Sequence, residues 1–531
     1  MSERRTFLKQ AGSAGLLLAT RPLAVLAAED PSRAALVLGN NAYPEAPLAN
    51  AVNDANAMAA VLREAGFKVD LRTDATRDAL AAGIDQFGRA VAQPEVRLAV
   101  FYYAGHGAQL QWKNYLIPTD GKVGAASEVE SRCVNLGVLL EQLGRARGKT
   151  SVIILDACRD NPFGPGYRPE QRGLSQFDAP PGSLLAFSTA PGQVASDGGG
   201  KNGLYTENLS KELSVRGARI EDAFKRVRLN VRIASRGEQV PWESTSLESD
   251  VFFFPEAKKL SEAELEKLIA EEIATWHRIK ASKRAEDWVT YLRAYPQGRF
   301  SEIAQDRLNR LLATVEVRPV AVAAVVAATA KPMKIELGAG LPVPDFYGGA
   351  ANPNTAGTYP LGRTYTVGDE CTFNAMDPLS RVVQRTWTLR VTKVDPDAER
   401  IELNNGEVIS DLMGNLLKVG PDTFDVPAQF APAELQIGKR WRARFVRITP
   451  TMRITVDYEV RVASREKVTV PAGTFDAFKI EARGFNDRGN RLEVNLWTIP
   501  GFNFSVRREL LVDGGRSNSE RLELVSAKQA R

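Results

Sequence analysis

The chain has 531 residues, of which 44% are hydrophobic and 25% charged. This is a globular composition, and the length suggests about three domains. The net charge of +5 is small, and Lys and Arg are mixed with Asp and Glu. No basic stripe with interleaved aromatics offers a nucleic-acid surface. The two histidines, His106 and His277, and the three cysteines, Cys133, Cys158 and Cys371, are too few and wrongly spaced for a Cys/His metal site. They do not form a disulfide framework either.

In chain order, residues 1–28 read as a targeting segment. Glu3-Arg4-Arg5-Thr6-Phe7-Leu8-Lys9 resembles the twin-arginine export signal. The short apolar run Ala11 to Ala19 and the small residues of Val25-Leu26-Ala27-Ala28 follow. The run falls short of the ~20 apolar residues of a spanning helix. The expectation is a periplasmic or secreted protein, without stable membrane insertion once the signal is removed.

Residues 29–255 alternate strands and helices. Ala34 to Leu38 is a short apolar strand. Ala51, Val52, Ala55, Met58 and Val61-Leu62 form a helical stripe stopped by Gly66. Phe67 to Leu71 is a strand, Asp78 to Val91 a helix, and Leu98 to Tyr103 a strand ended by Ala104-Gly105. Leu136 to Leu143 is helical, while Ser151 to Leu155 and Leu184 to Phe187 are strands. This alternation predicts a mostly parallel sheet with helices on both faces. Sites in such sheets form at the carboxyl ends of the strands, where "YYAGHG" and "LDAC" lie. The basic segment Lys225, Arg226, Arg228, Arg232 and Arg236 reads as the solvated face of an amphipathic helix.

Residues 256–313 look helical, at Glu262 to Ile279 and Ser301 to Leu312. Between them Trp288, Tyr291, Leu292, Tyr295-Pro296 and Gly298 resemble a tetratricopeptide-like hairpin repeat. A lone repeat is expected to pack on a neighbour. Residues 314–355 read as a linker. Residues 356–531 look all-β: Met452, Ile454, Val456, Tyr458, Val460 and Val462 alternate strictly, and Pro471-Ala472-Gly473 and Asn486 to Asn490 are turn signals. A β-sandwich or barrel of unknown role is expected, and with the helices it offers a surface for a protein partner.

The chemistry centres on Cys158 and His106. A cysteine nucleophile needs its thiolate, and a neighbouring histidine supplies the base that forms it and later the acid for the leaving amine. Alone, Cys158 reads as a small buried hydrophobe and His106 as an idle loop residue. Together, each follows a strand of one sheet, and His106 is flanked by Gly105 and Gly107, which let a peptide backbone approach. The amides of Gly107 and Cys158 are candidates for an oxyanion hole.

The stretches "APLANAVNDANAMAAVLREAGFKV", "FYYAGHGAQ", "LDACRDNPF", "RGLSQFDAPPGSLLAFSTAPGQVASDG", "NGLYT" and "IEDAFKRVRLNVRIASRGEQVPWESTSL" give residues 33–255 a resemblance to caspase-like cysteine peptidases. It is greatest to the prokaryotic orthocaspases, with metacaspases and paracaspases as relatives. The resemblance implies an α/β caspase-like fold and an endopeptidase with a His106/Cys158 dyad and no cofactor. The separation of 52 residues between the two is near the ~50 of caspases. Animal caspases have Gln-Ala-Cys and cleave after Asp. This chain has Asp156-Ala157-Cys158, as do metacaspases and paracaspases, which cleave after Arg or Lys. A carboxylate in a partly dry pocket binds guanidinium and rejects an acidic side chain.

Asp54 matches a second pocket acid of paracaspases, although it also reads as a first-turn acid on a helix dipole. Asp197, in "VASDG", is a third candidate that also reads as a turn residue. The loop 161–182 is Gly- and Pro-rich and carries Arg168 and Arg172, candidate self-processing sites. No acidic cluster calls for calcium. Two other readings stay open: a caspase-homologue scaffold or binding module working through its C-terminal domains, and another Cys/His hydrolase such as an amidase, for which no third-residue motif is present.

Overall fold

The computed structural model describes residues 29–146, 148–158, 163, 174–190, 200–255, 261–296, 298–315, 355, 357–361, 363–512 and 519–530. The first part of the chain builds a sheet from β1 (Arg33–Gly39), β2 (Lys68–Thr73), β3 (Leu98–Leu110), β4 (Lys113–Leu116), β5 (Val134–Asn135), β6 (Thr150–Cys158), β7 (Ser183–Phe187) and β8 (Trp242–Thr245). Its order is β2-β1-β3-β6-β7-β8, with β4 and β5 extending the outer end of β3. All neighbours along the main path are parallel except the β7–β8 pair.

Among the described residues six helices cover this sheet: α1 (Ala51–Glu64), α2 (Arg77–Ala92), α3 (Ala126–Arg132), α4 (Leu136–Arg145), α5 (Leu204–Leu213) and α6 (Ile220–Ala234). Strand residues alternate between two cores because successive side chains point to opposite faces. Val37, Val100, Tyr102 and Ile154 pack with α1, α5 and α6 on one side. Leu36, Phe101, Tyr103 and Leu155 pack with α2 and α4 on the other. Each fully buried aliphatic side chain contributes about 1.5–3 kcal/mol, so a strand buried on both faces reads as a continuous apolar run. The strand order reverses at β1, leaving a crevice between the carboxyl ends of β1 and β3.

Two strand ends differ from the sequence expectation. The glycine at 105 reads as a breaker, yet β3 runs through it to Leu110 and turns back into β4. Likewise β6 runs on to Cys158. His106 and Cys158 therefore sit within strands, not on loops beyond them.

Three helices follow, α7 (Glu262–Ile279), α8 (Ala285–Ala294) and α9 (Ser301–Val315). Ser261 and Glu264 form a reciprocal capping box at the start of α7. Trp276 stacks on Phe300 with ring centroids 4.4 Å apart and meets Trp288 and Tyr291 edge-on or tilted. This aromatic core is continuous with Trp441, Phe445 and Tyr458 of the β region. The helical hairpin is thus packed on a neighbour.

The β region contains β9 (Thr358–Pro360), β10 (Glu370–Met376), β11 (Val383–Asp395), β12 (Arg400–Leu403), β13 (Val408–Ser410), β14 (Leu416–Val419), β15 (Asp422–Ala428), β16 (Glu434–Gln436), β17 (Arg440–Ile448), β18 (Arg453–Val470), β19 (Gly473–Asn486), β20 (Arg491–Thr498), β21 (Ser505–Val512) and β22 (Glu520–Lys528). Among the described residues these form a closed twelve-stranded barrel, with β9 and β16 paired as a separate ribbon. Val456, Tyr458, Val460 and Val462 of β18 point inward, as their alternation predicts, and Glu459 and Arg461 point out. On this strand the inward face is apolar and the outward face carries the charges. Among the described residues no helix is long and apolar enough to cross a membrane.

The basic face of α6 is not solvated as the sequence suggests. Arg226 pairs with Glu212 at 2.6 Å, and Arg228 bridges Glu243 of β8 and Glu434 of β16 at 2.6 and 2.9 Å. Burial alone would raise the pKa of Glu434, but Arg228 and Lys439 outweigh it and hold it down at about 2. A Cβ at Gly438 would lie 1.5 Å from the carbonyl oxygen of Thr245, and its φ is +89°. The barrel therefore meets the edge of the first sheet in close backbone contact through a residue that only glycine fits.

Candidate active site

The parallel register of β3 and β6 sets His106 directly opposite Cys158, with Ala104 opposite Asp156. Two residues far apart in sequence are thereby fixed on adjacent strands at one end of the sheet, beside the β1–β3 crevice.

His106 is held on all sides. It is only 2% exposed. Its backbone N–H donates to Tyr43 Oη at 3.0 Å, and Tyr103 Oη donates to its carbonyl at 2.7 Å. The Tyr43 ring packs 4.4 Å from the imidazole, centroid to centroid. The ring nitrogen Nε2 lies 2.7 Å from the carbonyl oxygen of Ala46. A carbonyl only accepts, so Nε2 carries the proton and the neutral ring keeps its lone pair on Nδ1. That tautomer is the one a base working through Nδ1 requires.

The space around the histidine explains its glycines. A Cβ at Gly105 would fall 2.6 Å from Tyr43 Oη and 2.7 Å from Tyr103 Oη. A Cβ at Gly107 would fall 2.8 Å from Leu174 and 3.2 Å from the Ala157 side chain. Both positions exclude any side chain without displacement of a neighbour.

The two acids Asp156 and Asp54 come together around the start of α5. Thr206 Oγ1 donates to Asp156 Oδ2 at 2.7 Å, and the Tyr102 hydroxyl lies 2.6 Å from the same Thr206 oxygen and 3.4 Å from Asp156 Oδ2. With the threonine proton committed to Asp156, Tyr102 donates to Thr206, and the chain of donors ends on the carboxylate. Asp54, in the first turn of α1 and 4% exposed, accepts from Gly203 N–H at 3.0 Å and Asn202 Nδ2 at 2.9 Å. Gly203 is the N-cap of α5, so both carboxylates stand where that helix dipole favours negative charge. Burial raises the pKa of Tyr102 well above its ordinary value, and Asp156 and Asp54 push it further. The Tyr102 hydroxyl therefore stays a donor.

Asp197, Arg168, Arg172 and residues 1–28 lie outside the described residues. The other two cysteines are buried. Burial pushes the Cys133 thiol up to about 12 and the Cys371 thiol well above its ordinary value. Both are inert at neutral pH.

Sequence reasoning missed Tyr43, Tyr103, Thr206, Asn202 and the Ala46 carbonyl. The segment "NNAYPEAPL" after β1 offers no periodicity and no titratable motif, and a main-chain carbonyl leaves no side-chain trace to read.

Residues 32–252 match the family model of the caspase domain. Among solved structures the chain is similar to caspase-1 from Spodoptera frugiperda, with a TM-score of 0.33 and 16% identity, covering 44% of this chain and 95% of that one. No curated protein matches the sequence. The first part of the chain is thus a caspase domain, which implies a cysteine peptidase-like function and protein substrates.

Proposed function

We propose that the protein is a cysteine endopeptidase of the orthocaspase or metacaspase type that cleaves after Arg or Lys, exported through a twin-arginine signal to the periplasm or beyond. The observation that carries the chemistry is the pairing of His106 with Cys158 across β3 and β6. His106 Nδ1 takes the thiol proton of Cys158. The thiolate attacks the scissile carbonyl, and the oxyanion is received by the amides of Gly107 and Cys158. The imidazolium then protonates the leaving amine, and water hydrolyses the thioester by the reverse proton path. Ala46 takes the place of a third catalytic side chain, because its carbonyl already fixes the tautomer. An amidase reading therefore gains nothing from the site.

Specificity follows from Asp156, with Asp54 and Asp197 as further pocket acids. The half-buried carboxylate of Asp156 and the buried one of Asp54 make a site for a cation. Fluorogenic peptides with Arg, Lys or Asp at P1 test the reading directly. Turnover of the Arg and Lys peptides only is expected. Preference for Asp would overturn the assignment, and absence of all turnover would favour the scaffold reading.

The clamp on His106 gives a further expectation. Gly105→Ala forces Tyr43 and Tyr103 away from the histidine backbone. Misplacing a catalytic group by about 1 Å can cost about 10²-fold, so kcat/KM should fall by about that factor with the far-UV circular dichroism unchanged. An unchanged kcat/KM would show that the tyrosine clamp does not position the base.

Self-processing is proposed at Arg168 and Arg172. Wild-type protein should run as two fragments on a denaturing gel, and the double variant Arg168→Ala/Arg172→Ala as one intact chain. Intact wild type under conditions of full activity would remove processing from the account.

A further inference from the structure

The barrel holds a partly open cavity of about 370 Å³, within the ~300–1,000 Å³ common for small-molecule sites. Its walls are mostly apolar, with Trp387, Leu389, Phe424, Leu496, Leu510 and Leu522 among the lining residues. Four arginines and two carboxylates also face it, Arg363, Arg385, Arg447, Arg508, Asp422 and Glu520. Three of the arginines are engaged. Arg447 Nε donates to Asp422 at 2.7 Å, Arg385 pairs with Glu520 at 2.9 Å, and Arg363 donates to the Met413 carbonyl at 2.7 Å.

Arg508 differs. Among the described residues its guanidinium has no hydrogen bond or ion pair, and only through-space effects of Glu520, Tyr458 and Arg447 act on it. On β21 it stands opposite Leu496 of β20 and Leu522 of β22, so both cross-strand neighbours are aliphatic. Burial draws its pKa down from the usual arginine value. Arg508 is half-buried, and a guanidinium flanked by aliphatic side chains at a cavity wall is a ready partner for an anion entering that cavity.

We propose that the barrel is a binding site for an anionic amphiphile, with the acid headgroup on Arg508 and the hydrocarbon chain along the Trp387, Leu496 and Leu522 wall. The guanidinium fork suits a carboxylate or a phosphate. The apolar lining suits a single acyl chain. This site is separate from the peptidase centre and stands whether or not that centre is active.

Isothermal titration calorimetry of the full-length chain tests it, with dodecanoate, dodecyl phosphate, dodecanol and acetate below their micellar concentrations. Dodecanoate or dodecyl phosphate should bind one per chain, and the tighter of the two identifies the headgroup. Dodecanol should bind at least about tenfold more weakly, and acetate not measurably. A hydrogen bond to a charged group corresponds to about tenfold to a hundredfold in affinity. Arg508→Gln should cost the anionic ligand that factor and leave dodecanol unchanged. Leu510→Trp, which fills the cavity, should weaken both and keeps the test decisive should Arg508→Gln fail to fold. Failure of both anionic amphiphiles to bind, unchanged affinity in either folded variant, or acetate binding as tightly as dodecanoate would overturn the proposal.

Discussion

Cys158→Ala should abolish hydrolysis of Arg-P1 and Lys-P1 peptides, with kcat/KM falling by about 10⁴-fold or more. His106→Ala should cost about as much, and the double variant no more than either single one. Such non-additivity is the mark of two groups acting as one unit. The register that sets His106 opposite Cys158 motivates this. An arginyl ketone that alkylates the attacking thiolate supplies an independent readout. It should label wild type once and Cys158→Ala not at all. The other cysteines leave that readout clean, because burial pushes Cys133 up to about 12 and Cys371 well above its ordinary value. Their thiolate fractions at neutral pH are negligible. Persisting turnover or labelling in Cys158→Ala would place the nucleophile elsewhere, and an unlabelled wild type would make the domain a scaffold.

The parts of this site that were legible in the sequence are those that leave a side-chain signal. Continuous apolar runs gave β1, β6 and β7 because the sheet is buried on both faces, and the 3.6-residue stripe gave α1 and α2. The same logic misjudged the ends of β3 and β6. Gly105 looks like punctuation in one dimension, but in three it is the gap through which Tyr43 and Tyr103 reach the backbone of His106. The helix α5 was missed because Gly203 caps it without a side-chain signal and "LYTENLSKEL" mixes polar and apolar residues. Its position matters, since its first turn carries Thr206, the partner of Asp156. On α6, a stripe of arginines looked solvated because its partners Glu212, Glu243 and Glu434 come from other elements. Only the tertiary fold brings those charges together.

Asp156→Asn should erase the preference for a positive charge at P1. The substitution keeps the size of the side chain and an oxygen to accept from Thr206, but removes the negative charge. Removing one partner from a buried ion pair costs about 3–5 kcal/mol, about a hundredfold to several-thousandfold in kcat/KM for an Arg-P1 peptide. A peptide with citrulline at P1 separates charge from shape, because citrulline matches arginine in length without the cation. Wild type should prefer arginine strongly over citrulline, and Asp156→Asn should bring the two near parity while leaving citrulline turnover almost unchanged. Asp54 offers a contrast. Its carboxylate is already committed to Gly203 N–H and Asn202 and ties α1 to the start of α5. Asp54→Asn should therefore lower the melting temperature as well as the Arg-P1 rate. Equal losses on arginine and citrulline in Asp156→Asn would mean that Asp156 only braces Thr206 and the strand end. The source of specificity would then pass to Asp54 or Asp197.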